Sequence, residues 1–272
     1  MISLLRSEIK RLLSRRMTLA FPGVLMLLIL GGAVIAYFVI TNDDESSVDF
    51  VNDLAGGVDA ELFFQPIAFV VPLMAFVIGA SSIGADLKTG MVEQILTWEP
   101  RRLRFLFARC VANFVGVTLA AAAVAAVFTA LMFGLSALAG TTDGVTGELW
   151  ANIGVSIVRM GIAGGLFSIF GVGVALLVNS SVGAIVGFAI YFFIIENIVA
   201  AFLPTVASYL PIANTSAFAS GTNVERIDGN AFSGDFDLIV SHGYLTAGLI
   251  LAGWTILAAA LAGVIFTRRD VA

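Results

Sequence analysis

The chain has 272 residues, of which 59% are hydrophobic and only 12% are charged, and its formal net charge is −5. A soluble domain has about 25% charged residues, so this composition, with a mean hydropathy of +1.02, excludes a soluble globular protein and predicts a polytopic membrane protein. The single cysteine and the single histidine exclude an intrachain disulfide and a zinc site of paired ligands. We expect no metal site and no nucleic-acid partner.

The N-terminal segment, residues 1–19, has the pattern of an amphipathic helix. Leu5, Ile9, Leu12 and Leu13 share one helical face. The basic residues are placed mostly off that face, and they are Arg6, Lys10, Arg11, Arg15 and Arg16. A basic amphipathic helix of this kind lies along a lipid surface, so the segment predicts an interfacial helix in contact with membrane lipids. A contact with a partner protein is a secondary possibility for it.

The rest of the chain, residues 20–272, is predicted to be one all-α transmembrane domain. Six apolar stretches approach or exceed the length of about 20 residues that crosses a bilayer as a helix. They run over residues 21–40, 61–83, 110–139, 151–178, 182–203 and 244–266. None of them alternates as the strands of a membrane barrel do, and the backbone groups of a segment in lipid must be satisfied within that segment.

The distribution of basic residues predicts the orientation of these spans. Five basic residues precede the first span, five flank the connection between the second and third spans, and Arg268 and Arg269 follow the last. The connections on the other side are rich in Asp and Glu. Because basic residues stay on the cytoplasmic side, both termini are expected in the cytoplasm of a cell-membrane protein.

The chain shows no nucleotide-binding motif of its own. Neither of its two lysines, Lys10 and Lys88, follows the glycine-rich pattern that holds phosphates. We therefore expect no enzyme activity and no bound cofactor in this chain.

The connection between the second and third spans has a distinct pattern. Val92, Ile95 and Leu96 form one apolar stripe at helical spacing, and Pro100 ends the stripe. A short amphipathic helix before a basic cluster fits two roles, which are lying on lipid head groups or inserting into a groove of a partner protein.

This connection resembles the cytoplasmic loop of type-2 ATP-binding-cassette permeases. The resemblance rests on an acidic residue followed by glycine, glutamate, leucine, proline and arginine, which here are Asp86, Gly90, Glu93, Leu96, Pro100 and Arg102. Asp86 stands where that family usually has Glu, and Met91 where it usually has Thr. The layout of a basic entry helix, six spans and an Arg-Arg-Asp end after Phe266 is also similar to that family.

The resemblance implies a function. Two permease chains, either two copies of this chain or this chain and a paralogue, would pair and dock separate ATPase subunits that hold ATP and Mg. Residues 86–99, ending at Glu99, would form the coupling helix. Pro100 would fix the bend into the third span, and Arg101 and Arg102 would contact the ATPase or lipid phosphates. Export is the expected direction of transport.

Two charged residues lie inside predicted spans. Arg159 in the fourth span and Glu196 in the fifth lie at similar predicted depths, and an unpaired charge in lipid is costly. We therefore expect a structural ion pair between them, with a role in handling substrate or protons as the alternative. The rival function is an ATPase-independent secondary transporter in which Glu196 is the coupling carboxylate.

Two further patterns concern packing and the last connection. Gly161 with Gly165, and Gly183 with Gly187, predict faces where helices approach closely. Residues 204–220 resemble the short re-entrant or interfacial helices of the same permease family. Residues 221–234 are polar and contain glycine, which predicts an exposed loop.

Overall fold

A computed structural model describes residues 7–11, 16–42, 60–91, 97, 101–139, 147–229 and 236–268. Residues 7–11 are helical. The later elements, in chain order, are α1 (Arg16–Asn42), α2 (Ala60–Lys88), α3 (Arg102–Ala139), α4 (Gly147–Val178), α5 (Ser181–Ile190), a π-helical turn (Tyr191–Ile195), α6 (Glu196–Phe202), α7 (Pro204–Ala207), α8 (Pro211–Ser220), β1 (Val224–Gly229), β2 (Phe236–His242) and α9 (Tyr244–Arg268).

Five helical segments of the described chain are long and apolar enough to cross a membrane, judged by length and composition. They are Ile67–Lys88, Arg102–Gly134, Gly147–Val178, Ser181–Phe202 and Tyr244–Arg268. They correspond to the second to sixth predicted spans. Within α1, which covers the first predicted span, the described apolar stretch Pro22–Gly32 is shorter. The fold is therefore that of a helical membrane protein with several candidate spans.

The third helix begins earlier than the apolar pattern predicts. It starts at Arg102 rather than at Cys110, because its charged first turns have partners inside the protein. Arg102 donates a hydrogen bond from Nη1 to the carbonyl oxygen of Phe266, 3.1 Å away. Arg109 lies in a buried ion cluster that is described below. The apolar pattern alone excludes charged residues from a predicted span, even when tertiary contacts pair their charge within a helix.

The centre of the bundle is α4, which packs against α2, α3 and α9. Phe76 of α2 stacks on Phe188 of α5 with ring centroids 3.9 Å apart, and Phe167 of α4 meets Phe188 edge-on at 5.5 Å. These three rings are almost completely buried. Aromatic pairs of this kind add to the stability that burial alone provides.

Both glycines of the first predicted pair pack closely on another helix, whereas only one glycine of the second pair has a close neighbour. A Cβ atom on Gly161 would lie 2.9 Å from the backbone oxygen of Thr118, and one on Gly165 would lie within van der Waals overlap of the same threonine. This is the close approach of α4 and α3 that the spacing predicts. In the second pair, a Cβ atom on Gly183 would lie 2.9 Å from Cγ1 of Val178, whereas one on Gly187 would meet nothing within 4 Å.

The connection before α9 differs in part from its prediction. Two short helices, α7 and α8, occupy residues 204–220, as the resemblance implies. The expected loop at 221–234 instead contains β1, which pairs antiparallel with β2 from Val224 opposite His242 to Gly229 opposite Phe236. A bulge lies between Val224 and Glu225. The β-branched residues in both strands favour pairing, and polarity alone did not indicate it.

Basic residues cluster at one end of the bundle, and the β1–β2 pair lies at the other end. We call the end formed by the end of α2, the start of α3 and the end of α9 the basic end. We call the opposite end, formed by α8, β1, β2 and the start of α9, the hairpin end.

Candidate functional site

A buried ion cluster at the basic end is centred on Arg109 of α3. Its Nη2 donates a 2.7 Å hydrogen bond to Oδ2 of Asp86, and its Nη1 donates a 2.8 Å bond to the carbonyl oxygen of Ser82. Its Nε lies 2.8 Å from Oε2 of Glu8, although these two atoms are not aligned for a hydrogen bond. The three charged side chains are each at most 5% exposed. The guanidinium therefore joins the N-terminal segment to α2 and α3.

Arg11 completes the cluster from the N-terminal segment. Its Nη2 lies 3.4 Å from Oδ1 of Asp86, and its Nη1 lies 3.9 Å from Oε1 of Glu8. The cluster has two positive and two negative charges, carried by Arg11, Arg109, Glu8 and Asp86. Buried charges are tolerated when they are paired and hydrogen-bonded in this way.

Polar groups of α2 and α3 support the cluster from one side. Asn113, which is fully buried, donates from Nδ2 to Oγ of Ser82 at 3.1 Å and to the carbonyl oxygen of Arg109 at 3.0 Å. The bond to Ser82 fixes α3 against α2 beside the ion cluster. A membrane-embedded polar contact of this kind is a specific link between two helices.

Sequence reasoning did not single out Glu8 and treated Arg109 only as a topological charge. One signal was available, because Glu8 is the only acidic residue among the first sixteen, where five residues are basic. A single carboxylate in a basic amphipathic helix is expected to pair with a basic side chain. Besides Arg11 in the same segment, its closest partner is Arg109 of α3, and only the tertiary structure brings these two residues together.

The predicted coupling residues are only partly within the described chain. The predicted coupling helix does not begin at Asp86, because this residue lies in the last turns of α2, which ends at Lys88. Asp86 is 3% exposed and is held in the ion cluster rather than presented to solvent. Gly90 has a φ of 67° and follows the end of α2, a left-handed position that glycine adopts without strain. Arg101 is exposed. Arg102 binds the end of α9. Glu93, Leu96, Glu99 and Pro100 lie outside the described residues.

The predicted interfacial residues are also divided. Lys10 is exposed and Arg11 is partly buried in the ion cluster. Arg16 is the first residue of α1, so the boundary of the N-terminal helix at residue 19 falls inside α1. Arg6 and Arg15 lie outside the described residues.

Glu196 lies at the hairpin end and caps α8 instead of pairing with Arg159. Its Oε1 accepts a 3.0 Å hydrogen bond from the backbone nitrogen of Ala213, in the first turn of α8. A carboxylate at this place accepts a hydrogen bond from an N–H group that has no partner within the helix, and its negative charge is stabilised by the positive end of the helix dipole. The residue before α8, Leu210, provides no side-chain cap. Glu196 therefore acts as a cap from a distant part of the chain.

The π-helical turn places this carboxylate. It ends at Ile195, and the side chain of Asn197 donates to the carbonyl oxygens of Phe192 and Phe193, which satisfies oxygens of the widened turn. Oε2 of Glu196 is buried without a hydrogen-bond partner, and the hydroxyl of Tyr191 lies beside the carboxylate without the alignment of a hydrogen bond. Turns of this kind often occur at functional sites.

Arg159 has neutral partners. Its Nη2 donates a 2.9 Å hydrogen bond to Oγ of Ser156, and its guanidinium lies 4.8 Å from the ring centre of Tyr244. No ion pair in the described part of the chain joins it to Glu196, so the predicted pair is not formed. The helical spacing placed the two residues at one depth, but the π-helical turn and α8 give Glu196 a closer partner.

A third polar group lies between α8 and the end of β2. Asn214, fully buried, donates to the carbonyl oxygens of Ser208 and Leu210 at 2.9 and 2.7 Å. Its Oδ1 lies 2.8 Å from Nε2 of His242, whose ring stacks on Tyr209. Burial lowers the pKa of His242 below its ordinary value. These bonds fix α7, α8 and β2 to each other.

The described residues contain no candidate metal site. Among them there is no group of three His, Cys, Asp or Glu side chains that could hold a metal ion. A cavity of about 690 Å³ lies between α3, α4 and α9, but its lining is mostly apolar and has Cys110 as its one titratable group. The polar sites of the described chain are therefore the ion cluster and the hairpin-end groups.

The fold and these sites define a multi-pass helical membrane protein. Residues 24–272 match the model of a family that is described as a protein of unknown function (DUF2705), and the chain belongs to this family. No curated protein is significantly similar to the chain.

Proposed function

We propose that the protein is the transmembrane permease subunit of an ATP-driven exporter, with both termini in the cytoplasm of a cell-membrane protein of six spans. It works as a dimer with a second copy or a paralogue. ATP and Mg bind to a separate cytoplasmic ATPase subunit. Residues 86–99, which leave α2 after Lys88 and turn at Gly90, form the coupling segment that meets this subunit.

The observation that carries the proposal is the ion cluster. Asp86, at the end of α2 where the coupling segment begins, is joined to Arg109 of α3, and Glu8 adds the N-terminal segment to them. A push on the segment is transmitted to all three elements as one unit, because separating them exposes a buried charge. A rigid link of this kind is what an element needs to transmit motion from a partner.

The basic end also supports the place of the partner. Basic residues cluster at this end, and positive charge collects on the cytoplasmic side of membrane proteins. Gly90 ends α2 in a left-handed turn, which lets the chain leave the helix and start a new direction.

A copurification experiment tests the proposal. The tagged chain is solubilised from its native host, its partners are identified, and their ATPase activity is measured. We expect a soluble subunit with nucleotide-binding motifs, which is lost when Glu93→Ala is combined with Leu96→Arg. The matched control is Glu148→Ala at the exposed start of α4, which removes the same charge at the hairpin end and leaves the partner bound. Loss of the partner in the control alone, or no ATPase at all, contradicts the proposal.

The second candidate is an ATPase-independent secondary transporter that uses Glu196 as its coupling carboxylate. The observation that favours it is the buried Oε2 of Glu196, which has no hydrogen-bond partner. Buried carboxylates in membrane proteins commonly belong to proton or ion pathways. This candidate is supported if no ATPase copurifies and Glu196→Gln abolishes proton-driven uptake into vesicles.

A further inference from the structure

An apolar groove between α3 and α9 lies outside the polar sites. It contains the cavity of about 690 Å³, whose floor is formed by Leu166 and Ile169 of α4. Its two rims are open to the outside of the chain, because the lining side chains there are half exposed or more, and they are Leu103, Phe107, Ile256 and Val264. A molecule can therefore enter the groove sideways from the hydrocarbon core of a bilayer.

The polar side chains in the lining are mostly turned to their own helices. Thr255 donates from Oγ1 to the carbonyl oxygen of Leu251 at 2.9 Å, and Thr267 donates from Oγ1 to that of Val264 at 2.9 Å. The remaining polar group in the lining is the thiol of Cys110. Burying a polar group without a hydrogen-bond partner is costly, so the groove suits a hydrocarbon chain rather than a polar molecule.

The length of the groove fits one leaflet of a bilayer. Its lining on α9 runs from Thr255 to Thr267 and ends one residue before the last residue of that helix, Arg268. At 1.5 Å per residue this is about 18 Å. One leaflet contributes about 15 Å to a hydrocarbon core of about 30 Å. The groove therefore extends from the basic end to about the middle of the membrane.

Arginines surround the end of the groove. Residues 101–104 and 267–270, next to the lining residues Leu103 and Thr267, together contain five arginines and one acidic residue. Of these arginines, Arg101 and Arg268 are exposed, and Arg102 joins the two helix ends through the carbonyl oxygen of Phe266. Positive charge at this level attracts the phosphates of anionic lipids.

We propose that the groove holds one acyl chain of an anionic phospholipid from the leaflet at the basic end, with the phosphate beside Arg101 and Arg268. An unfilled apolar cavity loses the packing contacts of its walls, and acyl chains are the medium on its open side. The arginines retain the lipid whose head group carries a negative charge. The proposal holds with either candidate function, since it involves neither the ATPase nor Glu196.

A second copy of this chain fits the groove less well. A spanning helix has to cross the full hydrocarbon core of about 30 Å, whereas the groove covers about half of it. A two-fold contact through this surface would also bring the arginine-rich ends of the two copies together, and like charges across an interface are costly. An anionic head group instead provides the opposite charge.

The test uses a phosphatidylglycerol that carries a photoactivatable group in one acyl chain. It is added to the purified full chain in a neutral detergent, and the cross-linked residues are mapped by mass spectrometry. We expect cross-links in residues 103–110 and 255–267 at higher yield than on the exposed face of α5, at Val182 and Val186. Equal yields on both surfaces identify non-specific surrounding lipid only and overturn the proposal.

Competition with unlabelled lipids tests the head group. Unlabelled phosphatidylglycerol should suppress the cross-links in the groove at a lower concentration than phosphatidylcholine with the same acyl chains. Arg268→Gln should reduce this preference about fivefold, the effect of one basic residue near an anionic surface. Lys88→Gln removes an exposed charge from the same end and should leave the preference unchanged. Equal competition by the two lipids overturns the recognition of an anionic head group.

A variant that fills the groove tests the acyl chain. Ala260 is an exposed lining residue, so Ala260→Phe places a ring in the groove and should abolish the cross-links there. Leu261→Phe, on the neighbouring exposed face of α9, is the matched control and should keep them. If Ala260→Phe instead converts a dimer into a monomer and leaves lipid binding unchanged, the groove is a contact between copies and the proposal is overturned. Melting temperatures in detergent check that both variants fold, and Arg268→Gln still tests the site if Ala260→Phe does not.

Discussion

The side chains of Arg109 and Asp86 meet in a 2.7 Å hydrogen bond on the two helices that flank the loop at the basic end. Oε2 of Glu8 lies 2.8 Å from Nε of the same guanidinium. The end of α2 and the start of α3, which flank this loop, are therefore joined to each other and also to the N-terminal segment.

Removing one carboxylate of the cluster should destabilise the protein strongly. Asp86→Asn leaves the buried Arg109 with one carboxylate partner, and breaking a buried pair costs about 3 kcal/mol or more. The free energy of unfolding, measured in mixed micelles, checks this. Lys88→Gln, an exposed charge on the same helix end, is the control and should change stability by less than about 0.5 kcal/mol. A similar loss in both variants contradicts a specific cluster.

Gly90 should tolerate asparagine better than alanine. A left-handed residue with a Cβ atom costs about 1 kcal/mol, and asparagine reduces that cost through its local hydrogen bonding. Gly90→Ala should therefore lower the melting temperature more than Gly90→Asn. Gly147→Ala provides the control, because a Cβ atom there meets nothing within 4 Å and its φ is not left-handed. Equal effects of Ala and Asn at position 90 are inconsistent with the left-handed conformation.

Arg159 and Glu196 should act independently on stability. Each has partners of its own, so the double variant with Arg159→Gln and Glu196→Gln should equal the sum of the singles within about 0.5 kcal/mol. Glu196→Gln alone should speed amide exchange at Ala213, since the cap of α8 is weakened by about 1 kcal/mol. A coupling energy above this margin would contradict independence and support the ion pair that the sequence predicted.

His242 should make the hairpin end sensitive to acid. Its pKa is lowered by burial in the folded chain, so the unfolded chain binds more protons below the ordinary value of about 6.5 and stability falls as the pH drops through that value. The contribution is fully present above it. Melting temperatures between about pH 7.5 and pH 5 should fall more steeply for the wild type than for His242→Gln, which keeps a donor for Asn214. Parallel curves contradict this assignment.

The sequence determined the helices and their approximate ends. Long apolar runs cannot satisfy their backbone groups in lipid except as helices, and the matches at α2, α4 and α9 follow from that constraint. The close packing of α4 on α3 at Gly161 also follows from local spacing. Each of these features depends on residues near each other in the chain.

The tertiary structure decided which charges meet. Glu8, Asp86 and Arg109 are distant in sequence, and Glu196 binds the first turn of α8 instead of Arg159. A period or a composition contains no information about which of several helices packs beside a given charge. The π-helical turn Tyr191–Ile195 comes directly before Glu196, and the helical period of the sequence does not predict it. For this reason the sequence predicted the spans, and only the assembled fold determined the polar sites.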